Sequence, residues 1–349
     1  MYLQAVLTFL KYSQKDKLFL LALLIIALTF TVFFSQQRPE VREHFSKLTW
    51  APPPCGDATH ACATYQITEY GQGHQFLGLD PSKDWIVRLP GYGPQKGGID
   101  INGGHNVIII GGEIDLTTPC TTDKGICHGI NISRDNHATG EVYIEGVLIK
   151  NPDAMHSRYT GDGIDVNTNA TPIVTLQNIR VEGIDGCGAN GFSAHADVFQ
   201  PYGATNTAIQ VDHLTGTTDF QGMSIYPNLS SPRSGTFKNV NITILSNPHP
   251  GCTSSAHYGW WLTGDTCNTY PITLSNDYEQ ELNRSLVSNA VWPDTHATFG
   301  CPAQYSNGVV FWPGLATVHG SIINGLPPGG DFVPVGAAGI NYVSPGYQT

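Results

Sequence analysis

The segments Gly98-Ile-Asp-Ile101, Gly129-Ile-Asn-Ile132 and Gly163-Ile-Asp-Val166 repeat one short pattern, a glycine followed by apolar residues at every second position. Successive glycines in these segments are 31 and 34 residues apart. Such alternation is typical of a β-strand with one buried face, and a recurrence of this length indicates stacked structural repeats. Less regular copies begin further along the chain, at Asp197, Gly222, Gly259 and Gly308.

A second pattern lies between the copies of the first. It reads apolar, apolar, small or polar, apolar, apolar in Val107–Ile114, Val142–Ile149 and Val174–Val181. Each step therefore holds two or three short strands and no helical stretch, which excludes the crossover helix of a βαβ unit. Strands of this kind can form coils that stack about 4.8 Å apart. We predict an all-β fold, a right-handed parallel β-helix.

A β-sandwich is the alternative, and it needs hairpin turns between neighbouring strands. Asn190-Gly191 and Asn307-Gly308 are such turn signals, but the repeat steps are too long and too similar for a sandwich. The 39 Gly and 23 Pro residues also disfavour long helices. A net charge of −11 without a Lys/Arg cluster excludes a nucleic-acid-binding protein, and 40% hydrophobic residues exclude a disordered chain.

The N-terminal region predicts a membrane anchor. Leu18–Phe34 is a run of seventeen residues without charge, Pro or Gly, at the short end of the lengths that span a membrane. A cleaved signal peptide is disfavoured, because the tail before the run is long and no small-residue cleavage site follows it. The expected order is a cytoplasmic tail (1–17), a transmembrane signal-anchor (18–34), a linker (35–60), the β-helix domain (61–324) and a Gly/Pro-rich tail that caps or lies along the solenoid (325–349).

The cysteines indicate on which side of the membrane the domain lies. All eight follow the apolar run, and an even set on one side indicates disulfides in an oxidising compartment. We therefore expect an extracytoplasmic domain, at the cell surface, in the periplasm or in a lumen. The sequence suggests the pairs Cys55/Cys62, Cys120/Cys127 and Cys252/Cys267, which leaves Cys187 with Cys301.

The segment Asp84–Ile114 (DWIVRLPG…GGIDINGGHNVIIIGGEI) resembles the first coils of pectate-lyase-like β-helix proteins. The copies Val142–Ile149 and Val174–Val181 resemble their stacked coils. The resemblance implies a polysaccharide lyase, hydrolase, esterase or epimerase, or a non-enzymatic fibre. The polygalacturonase sequence blocks and the pectate-lyase calcium site are not intact, so the resemblance is to the superfamily and not to one branch.

The residues between the apolar positions should point outward and form ladders across the coils. One end of these ladders is rich in carboxylates and amides and the other in aromatic rings, a surface suited to a sugar chain. The alternative is that Asn and Asp only form turns while aromatic side chains cover gaps. The predicted first ladder is Asp100, Asn131, Asp165, Phe199, Ser224, Trp261 and Val310, and the second is Asn102, Ser133, Asn167, Pro201, Tyr226, Thr263 and Trp312.

The candidate catalytic residues are Asp165, His195 and Asp197. Alignment of Val198 with Ile164 places the two Asp Cα atoms roughly 8 Å apart, the spacing of an inverting glycoside hydrolase. In a lyase, His195 would abstract a proton while Asp165, Asp197 or a calcium ion held by them would neutralise a uronate carboxylate. The predicted substrate-binding residues are Asn131, Arg158, Asn167, Tyr226, Trp261 and Trp312, whereas Asp162 and Gln200 come out inward or at a corner and His60, His74, His105, His128 and His137 receive no role.

The sequence therefore predicts a membrane-anchored, polysaccharide-active β-helix protein, either a lyase or an inverting glycoside hydrolase. The alternative is a non-catalytic surface protein that binds glycans or forms fibres, and assembly into an oligomer or filament stays open. The negative charge of the domain favours a neutral or mildly acidic glycan as the partner.

Overall fold

The computed structural model describes residues 47–67, 73–117, 128–133, 136–152, 161–186, 196–225, 231–245, 258–262, 269–282, 291–292 and 301–347. Within these ranges, no helix is long and apolar enough to cross a membrane. The predicted anchor, Leu18–Phe34, lies outside them.

The regular structure of the described residues consists of β-strands, which confirms the all-β prediction. The strands, in chain order, are β1 (Ala61–Gln66), β2 (Gln75–Leu79), β3 (Lys83–Arg88), β4 (Gln95–Lys96), β5 (Ile99–Gly103), β6 (Val107–Ile110), β7 (Glu113–Asp115), β8 (Ile130–Ile132), β9 (Glu141–Glu145), β10 (Leu148–Lys150), β11 (Ile164–Val166), β12 (Ile173–Ile184), β13 (Asp197–Gln200), β14 (Ala208–Thr218), β15 (Gln221–Ser224), β16 (Ser234–Ile244), β17 (Tyr258–Trp261), β18 (Ile272–Ser275), β19 (Asp277–Glu281), β20 (Val291–Trp292), β21 (Gln304–Ser306), β22 (Val309–Phe311), β23 (Val318–His319) and β24 (Ile322–Asn324).

The strands form two sheets in which successive coils pair in parallel. Sheet B has eight strands in the order β2-β5-β8-β11-β13-β15-β17-β20, and all of its neighbours are parallel. Sheet A has sixteen strands, and its longest path includes β3-β6-β9-β12-β14-β16-β19, also in parallel. Parallel strands that stack in sequence order in both sheets are consistent with a β-helix or solenoid.

The hydrophobic core lies between the two sheets. In sheet B, apolar side chains stack from coil to coil in one inward column, because the paired register places equivalent residues side by side. A matching column lines sheet A. These side chains are buried: in sheet B they are Ile99, Ile130, Ile164, Phe199, Met223, Trp260 and Val291, and in sheet A Ile109, Ile144, Leu176, Val211, Phe237 and Leu274.

The glycine that opens the first pattern is required by close packing at a corner. A Cβ atom added to Gly129 would lie 2.6 Å from Cγ2 of Ile149, and one added to Gly163 would lie 2.6 Å from Cγ1 of Val181. Both distances are shorter than carbon atoms tolerate. The repeated glycine therefore allows sheet B to begin directly against the end of sheet A.

The small or polar position of the second pattern is a left-handed bend. Gly111 and Gly146 have φ values of 64° and 70°, and Asn178, His213 and Asn239 have φ values of 58°, 53° and 52°. Glycine adopts this conformation freely, and Asn and His adopt it more readily than most residues. The pattern thus marks the corner at which each coil turns within sheet A.

Both ends of the described chain lie against sheet A. In the N-terminal segment (47–54), the Trp50 N–H donates to Oε1 of Gln177 over 3.0 Å, and the Gln177 amide donates back to the Trp50 carbonyl over 2.8 Å. In the C-terminal segment (331–342), the Gly339 N–H donates to the Gly146 carbonyl over 2.8 Å. These contacts cover part of the outer surface of sheet A.

The copy of the first pattern at Gly308 does not form a coil of sheet B. Strand β22 pairs antiparallel with β21 and β24, and Asn307 and Gly308 both have positive φ values, as in a tight hairpin turn. The ladder positions predicted for Val310 and Trp312 are therefore wrong. Both side chains are buried in the hydrophobic core, so the Trp312 ring offers no exposed face for a sugar.

One predicted disulfide is confirmed, because Cys55 and Cys62 are joined. Cys301 is disulfide-bonded as well. Its suggested partner, Cys187, and the pairs Cys120/Cys127 and Cys252/Cys267 lie outside the described residues.

Candidate functional site

The outward residues of sheet B form a row that crosses the coils. The register pairs Asp100 with Asn131, Asn131 with Asp165, and Asp165 with Gln200. The row continues at one end to an exposed phenylalanine and at the other to a half-buried tryptophan. We call it the outer row, and its members are Phe76, Asp100, Asn131, Asp165, Gln200, Ser224 and Trp261.

The outer row differs from the predicted first ladder at one position, where Gln200 stands in place of Phe199. Ile164 pairs with Phe199 and not with Val198. Phe199 therefore points inward, and Gln200 takes the outward place beside Asp165. The same shift places Asp197 level with Asp162, so that Asp165 and Asp197 are one coil and three residues apart. Their Cα separation is then about 11 Å, longer than the 8 Å expected from the sequence.

Asp162, Asp197 and His128 stack at the corner where the strands of sheet B begin. The Asp197 N–H donates to Oδ1 of Asp162 over 2.8 Å, and Nδ1 of His128 lies 3.2 Å from Oδ2 of Asp162. The Asp162 carboxylate is thereby held at both oxygens. Asp197 is fully buried, and neither of its carboxyl oxygens has a hydrogen-bond partner among the described residues.

Asp165, a member of the outer row, also lies close to this corner. One ligand atom from each of His128, Asp162 and Asp165 lies within 4.8 Å of the others. We call these residues and Asp197 the carboxyl cluster. Each of its three carboxyl groups is at least nine-tenths buried, and burial of charged groups this close together is costly unless some bind protons or cations.

Burial changes the proton affinities of the carboxyl cluster. It raises the pKa of Asp165 to about 7; the charge of Asp162 adds to this rise and that of His128 opposes it. Burial and the charges of Asp162 and Asp165 hold the pKa of Asp197 well above its usual value. Burial alone would lower the pKa of His128, but Asp162 and Asp165 outweigh it and raise that pKa to about 9. The cluster therefore combines carboxyl groups whose pKa values are raised with a histidine whose pKa is also raised.

A second outward row runs beside the first and contains an exposed aromatic ring. The corrected register places Tyr202, and not Pro201, level with Asn167. The Tyr202 N–H donates to the Asp165 carboxyl group, while the Tyr202 side chain is 49% exposed. An exposed ring next to a carboxyl group is an arrangement suited to a sugar ring.

The coils that precede Asp165 in the chain extend the polar surface of the carboxyl cluster. Nε2 of His74 lies 3.2 Å from Oδ1 of Asp100. In the part of the chain that the structure describes, Oδ1 of Asn131 is buried without a hydrogen-bond partner. One coil further, the Phe76 side chain is 62% exposed. The outer row thus has an exposed aromatic ring three coils from Asp165.

The structure brings together some of the predicted site residues and not others. Asn131 lies beside Asp165 in the outer row, Asn167 directly follows the strand that contains Asp165, and half-buried Trp261 lies three coils away. Trp312 belongs to the core. The remaining predicted residues, Arg158, His195 and Tyr226, lie outside the described residues.

Three residues of this surface, His128, Tyr202 and Phe76, were missed from the sequence. His128 stands directly before the strand pattern, in the same place as Asp162 one repeat later, so the repeat itself contained the signal. Tyr202 was missed because of the one-residue shift, and Phe76 because it precedes the first recognised copy. Asp162 was assigned to a corner, and its contact with Asp165 could not be read from strand alternation.

The donor set of the carboxyl cluster also suits a metal ion. His128, Asp162 and Asp165 would supply one imidazole nitrogen and two carboxylate oxygens, a set found with transition metals as well as with harder cations. The calcium ligands predicted from the sequence, Asp165 and Asp197, are both members of this cluster. Comparison with family models, curated proteins and solved structures finds no match to this chain.

Proposed function

We propose that the protein hydrolyses a glycosidic bond at the carboxyl cluster. The observation that carries this proposal is the close pair of buried carboxyl groups, Asp162 and Asp165, which have oxygens within 4.8 Å of each other. Burial raises the pKa of Asp165 to about 7, while the Asp162 carboxylate contacts His128 and accepts the Asp197 N–H. Glycoside hydrolysis needs one carboxyl group that donates a proton and one carboxylate that stays ionised. We take the coils to be right-handed and of the pectate-lyase-like kind, as the sequence resemblance implies.

Asp165 is the proposed general acid. Its proton passes to the glycosidic oxygen as the bond from that oxygen to the anomeric carbon breaks. The Asp162 carboxylate acts at the anomeric carbon, either directly or by taking a proton from a water molecule that attacks there. Water supplies a hydroxyl group to one product and restores the proton of Asp165, so the reaction needs no oxidant or reductant.

The configuration of the product identifies the working pair of carboxyl groups. One oxygen of Asp162 and one of Asp165 lie within 4.8 Å, close to the roughly 5–5.5 Å of retaining enzymes. The Cα atoms of Asp165 and Asp197 are further apart, at about 11 Å. If these two residues were the working pair, we would expect inversion, for which the carboxyl groups stand about 6.5–9.5 Å apart. Proton NMR of the first-formed anomer distinguishes the two pairs.

The substrate that this surface fits best is a neutral glycan. The eight described strands of sheet B contain no Lys or Arg, so they offer no permanent cation for a polyuronate. The amides of Asn131 and Gln200 flank Asp165 and suit sugar hydroxyl groups. Tyr202 and Trp261 offer rings that suit the apolar faces of sugars.

The test is the release of reducing ends from a panel of neutral and acidic polysaccharides. We expect Asp165→Asn and Asp162→Asn each to lower turnover by about 10²-fold or more, the usual contribution of a general acid or base. Asp80→Asn, which changes an exposed carboxyl group in a turn, is the matched control and should keep full activity. Equal activity of all three variants would contradict the proposal.

Two other outcomes would favour one of the functions that the sequence analysis left open, a lyase or a non-catalytic glycan-binding protein, over a hydrolase. A product that absorbs in the ultraviolet through a new double bond, and that is lost in His195→Ala, would show a lyase. Binding of a glycan without any cleavage, unchanged in Asp165→Asn, would show a non-catalytic glycan-binding protein.

We also propose that residues 18–34 anchor the protein in a membrane with the β-strand domain on the extracytoplasmic side. The Cys55–Cys62 disulfide supports an oxidising compartment. A thiol-specific reagent that does not cross membranes should label the domain only after reduction, on intact cells or on vesicles that expose the extracytoplasmic side. Cysteines that are all reduced and protected on the cytoplasmic side would contradict this topology.

A further inference from the structure

Phe76 is an exposed aromatic side chain in the interior of a strand. It lies in β2, faces outward in the outer row and is 62% exposed. A ring on a strand keeps its position better than a ring in a turn, and this suits it to stack on a ligand. The other large apolar side chains that are exposed in the described part of the chain lie outside the strands: Tyr92, Tyr202, Leu282, Leu326, Val335 and Val343.

A histidine supports one side of the Phe76 ring. The ring centroids of His74 and Phe76 are 4.9 Å apart, and the ring planes differ by 57°. The His74 side chain is 4% exposed, and its Nε2 lies 3.2 Å from Oδ1 of Asp100, the next member of the outer row. Phe76 therefore packs against a side chain that the neighbouring coil holds in place. A ring restricted in this way loses less conformational entropy when a ligand binds to it.

The surface beside the Phe76 ring is open. Gly78 lies two residues further along β2 and faces the same side of sheet B, and a Cβ atom added to Gly78 would meet nothing within 4 Å. The neighbour of Gly78 in the next coil is Asn102, which is half-buried. Phe76, Gly78 and Asn102 thus combine an aromatic ring, an open space and an amide. A sugar unit can stack on the ring, lie in the space and hydrogen-bond to the amide.

We infer that Phe76, Gly78 and Asn102 form a distal sugar-binding subsite, and that the protein therefore cleaves inside long glycan chains. The conclusion on cleavage rests on the proposed hydrolysis at Asp165, whereas the binding of sugar does not. In the outer row, Phe76 and Asp165 are three coils apart, about 14 Å. The exposed Tyr202 ring lies one coil beyond Asp165. A chain that contacts both rings has sugar units on both sides of Asp165, so the bond that breaks there is internal.

The distal subsite makes binding depend on chain length. A short oligosaccharide that occupies the surface at Asp165 and Tyr202 does not reach Phe76, whereas a chain that extends about 14 Å further does. The Phe76 contact is far from the bond that breaks, so it stabilises the bound substrate and the transition state equally. Such a contact lowers KM and leaves kcat unchanged.

The first experiment measures binding without cleavage, by calorimetry on the full chain with Asp165→Asn. The probes are linear oligosaccharides of two to eight units of glucose, xylose or mannose, which are neutral sugars. We expect the affinity for the probes to rise with their length and then to level off. Phe76→Ala should weaken the binding of long probes about fivefold, as for the loss of one stacked ring, and leave the binding of short probes unchanged.

Two further variants sharpen this experiment. Gly78→Val fills the open space with a side chain that strands favour, and it should weaken the binding of long probes as Phe76→Ala does. Tyr92→Ala removes a fully exposed ring outside sheet B and is the matched control; it should leave the affinity unchanged. Circular dichroism and the melting temperature should show a preserved fold in all three variants, because Phe76 and Tyr92 are exposed and Gly78 has free space around it.

The second experiment follows cleavage of the polysaccharide built from the sugar that binds, with Asp165 intact. Internal cleavage lowers the viscosity of the solution before many reducing ends appear, whereas cleavage from chain ends releases reducing ends with little change in viscosity. We expect the first pattern. Phe76→Ala should raise KM on long probes about fivefold without lowering kcat.

The distal subsite and the proposed hydrolysis would fail in different ways. Binding that depends on chain length and on Phe76, without cleavage of any polysaccharide, would overturn the hydrolysis and support the distal subsite. Affinity for long probes that is unchanged in both Phe76→Ala and Gly78→Val would overturn the distal subsite and leave the hydrolysis standing. The absence of binding by any probe at millimolar concentration would also overturn the distal subsite.

Discussion

Replacement of Gly163 by alanine tests the corner at which sheet B begins. The new Cβ atom would lie 2.6 Å from the Val198 carbonyl oxygen and 2.6 Å from Cγ1 of Val181, about 0.8 Å too close to each. The oxygen belongs to the backbone of the next coil, which cannot move without stretching the ladder of parallel hydrogen bonds. We expect a loss of about 2–3 kcal/mol in the free energy of unfolding, as for other overpacked sites.

The matched control is Gly78→Ala in the same sheet. A Cβ atom at Gly78 meets nothing within 4 Å, and its φ is not in the left-handed region. This change should be neutral or stabilise by up to about 1 kcal/mol, because alanine lowers the entropy of the unfolded chain.

The assay is thermal unfolding followed by circular dichroism. For a domain of this size, with an unfolding entropy of roughly 2 cal/mol/K per residue, a loss of 2–3 kcal/mol lowers the melting temperature by roughly 3–5 °C. Equal melting temperatures for Gly163→Ala and Gly78→Ala would refute the close approach of the two sheets at this corner, and with it the account of the repeated glycine.

Three further predictions concern the register and the site. Phe199→Ala should cost about 3–5 kcal/mol in urea unfolding, as for a buried aromatic residue, and Gln200→Ala much less; the opposite order would restore the alignment predicted from the sequence. Because the pKa of Asp165 is raised in the folded state to about 7, the free energy of unfolding should fall as pH rises from about 4 to about 7, and Asp165→Asn should flatten this part of the curve. Tyr202→Ala should raise KM on a cleaved glycan more than it lowers kcat, whereas Tyr92→Ala, at a fully exposed ring outside sheet B, should change neither value.

The strands of the coils could be predicted from the sequence because the patterns that indicate them are local and repeated. Alternation in Ile99–Ile101 and Ile164–Val166 gives the strand and its buried face, and Asn178 stands where a left-handed bend is needed. The Cys55/Cys62 pair was also found from its short loop. These features depend on neighbours in the chain, and each repeat confirms the one before.

The carboxyl cluster could be predicted only in part. Asp165 was predicted because it lies in the regular pattern. Its neighbours in the next coil were predicted wrongly, because Ile164 pairs with Phe199 and not with Val198. A one-residue shift of β13 moves its side chains to the opposite face, so Gln200 takes the outward place beside Asp165 and Asp197 lies level with Asp162. The pairing of His128 with Asp162 required the register of two coils and the geometry of a corner, neither of which alternation supplies.

The C-terminal segment has a consequence for how the chain is made. Tyr342 bonds to Glu145, 197 residues earlier, and Asp331 bonds to Arg180, 151 residues earlier. During synthesis from the N-terminus these coils exist long before the residues that cover them, so the polar groups at their corners stay in water until the last part of the chain is released. Because the segment crosses several coils, it also couples repeats that do not touch one another, and the coils it spans should open together instead of one by one from an end.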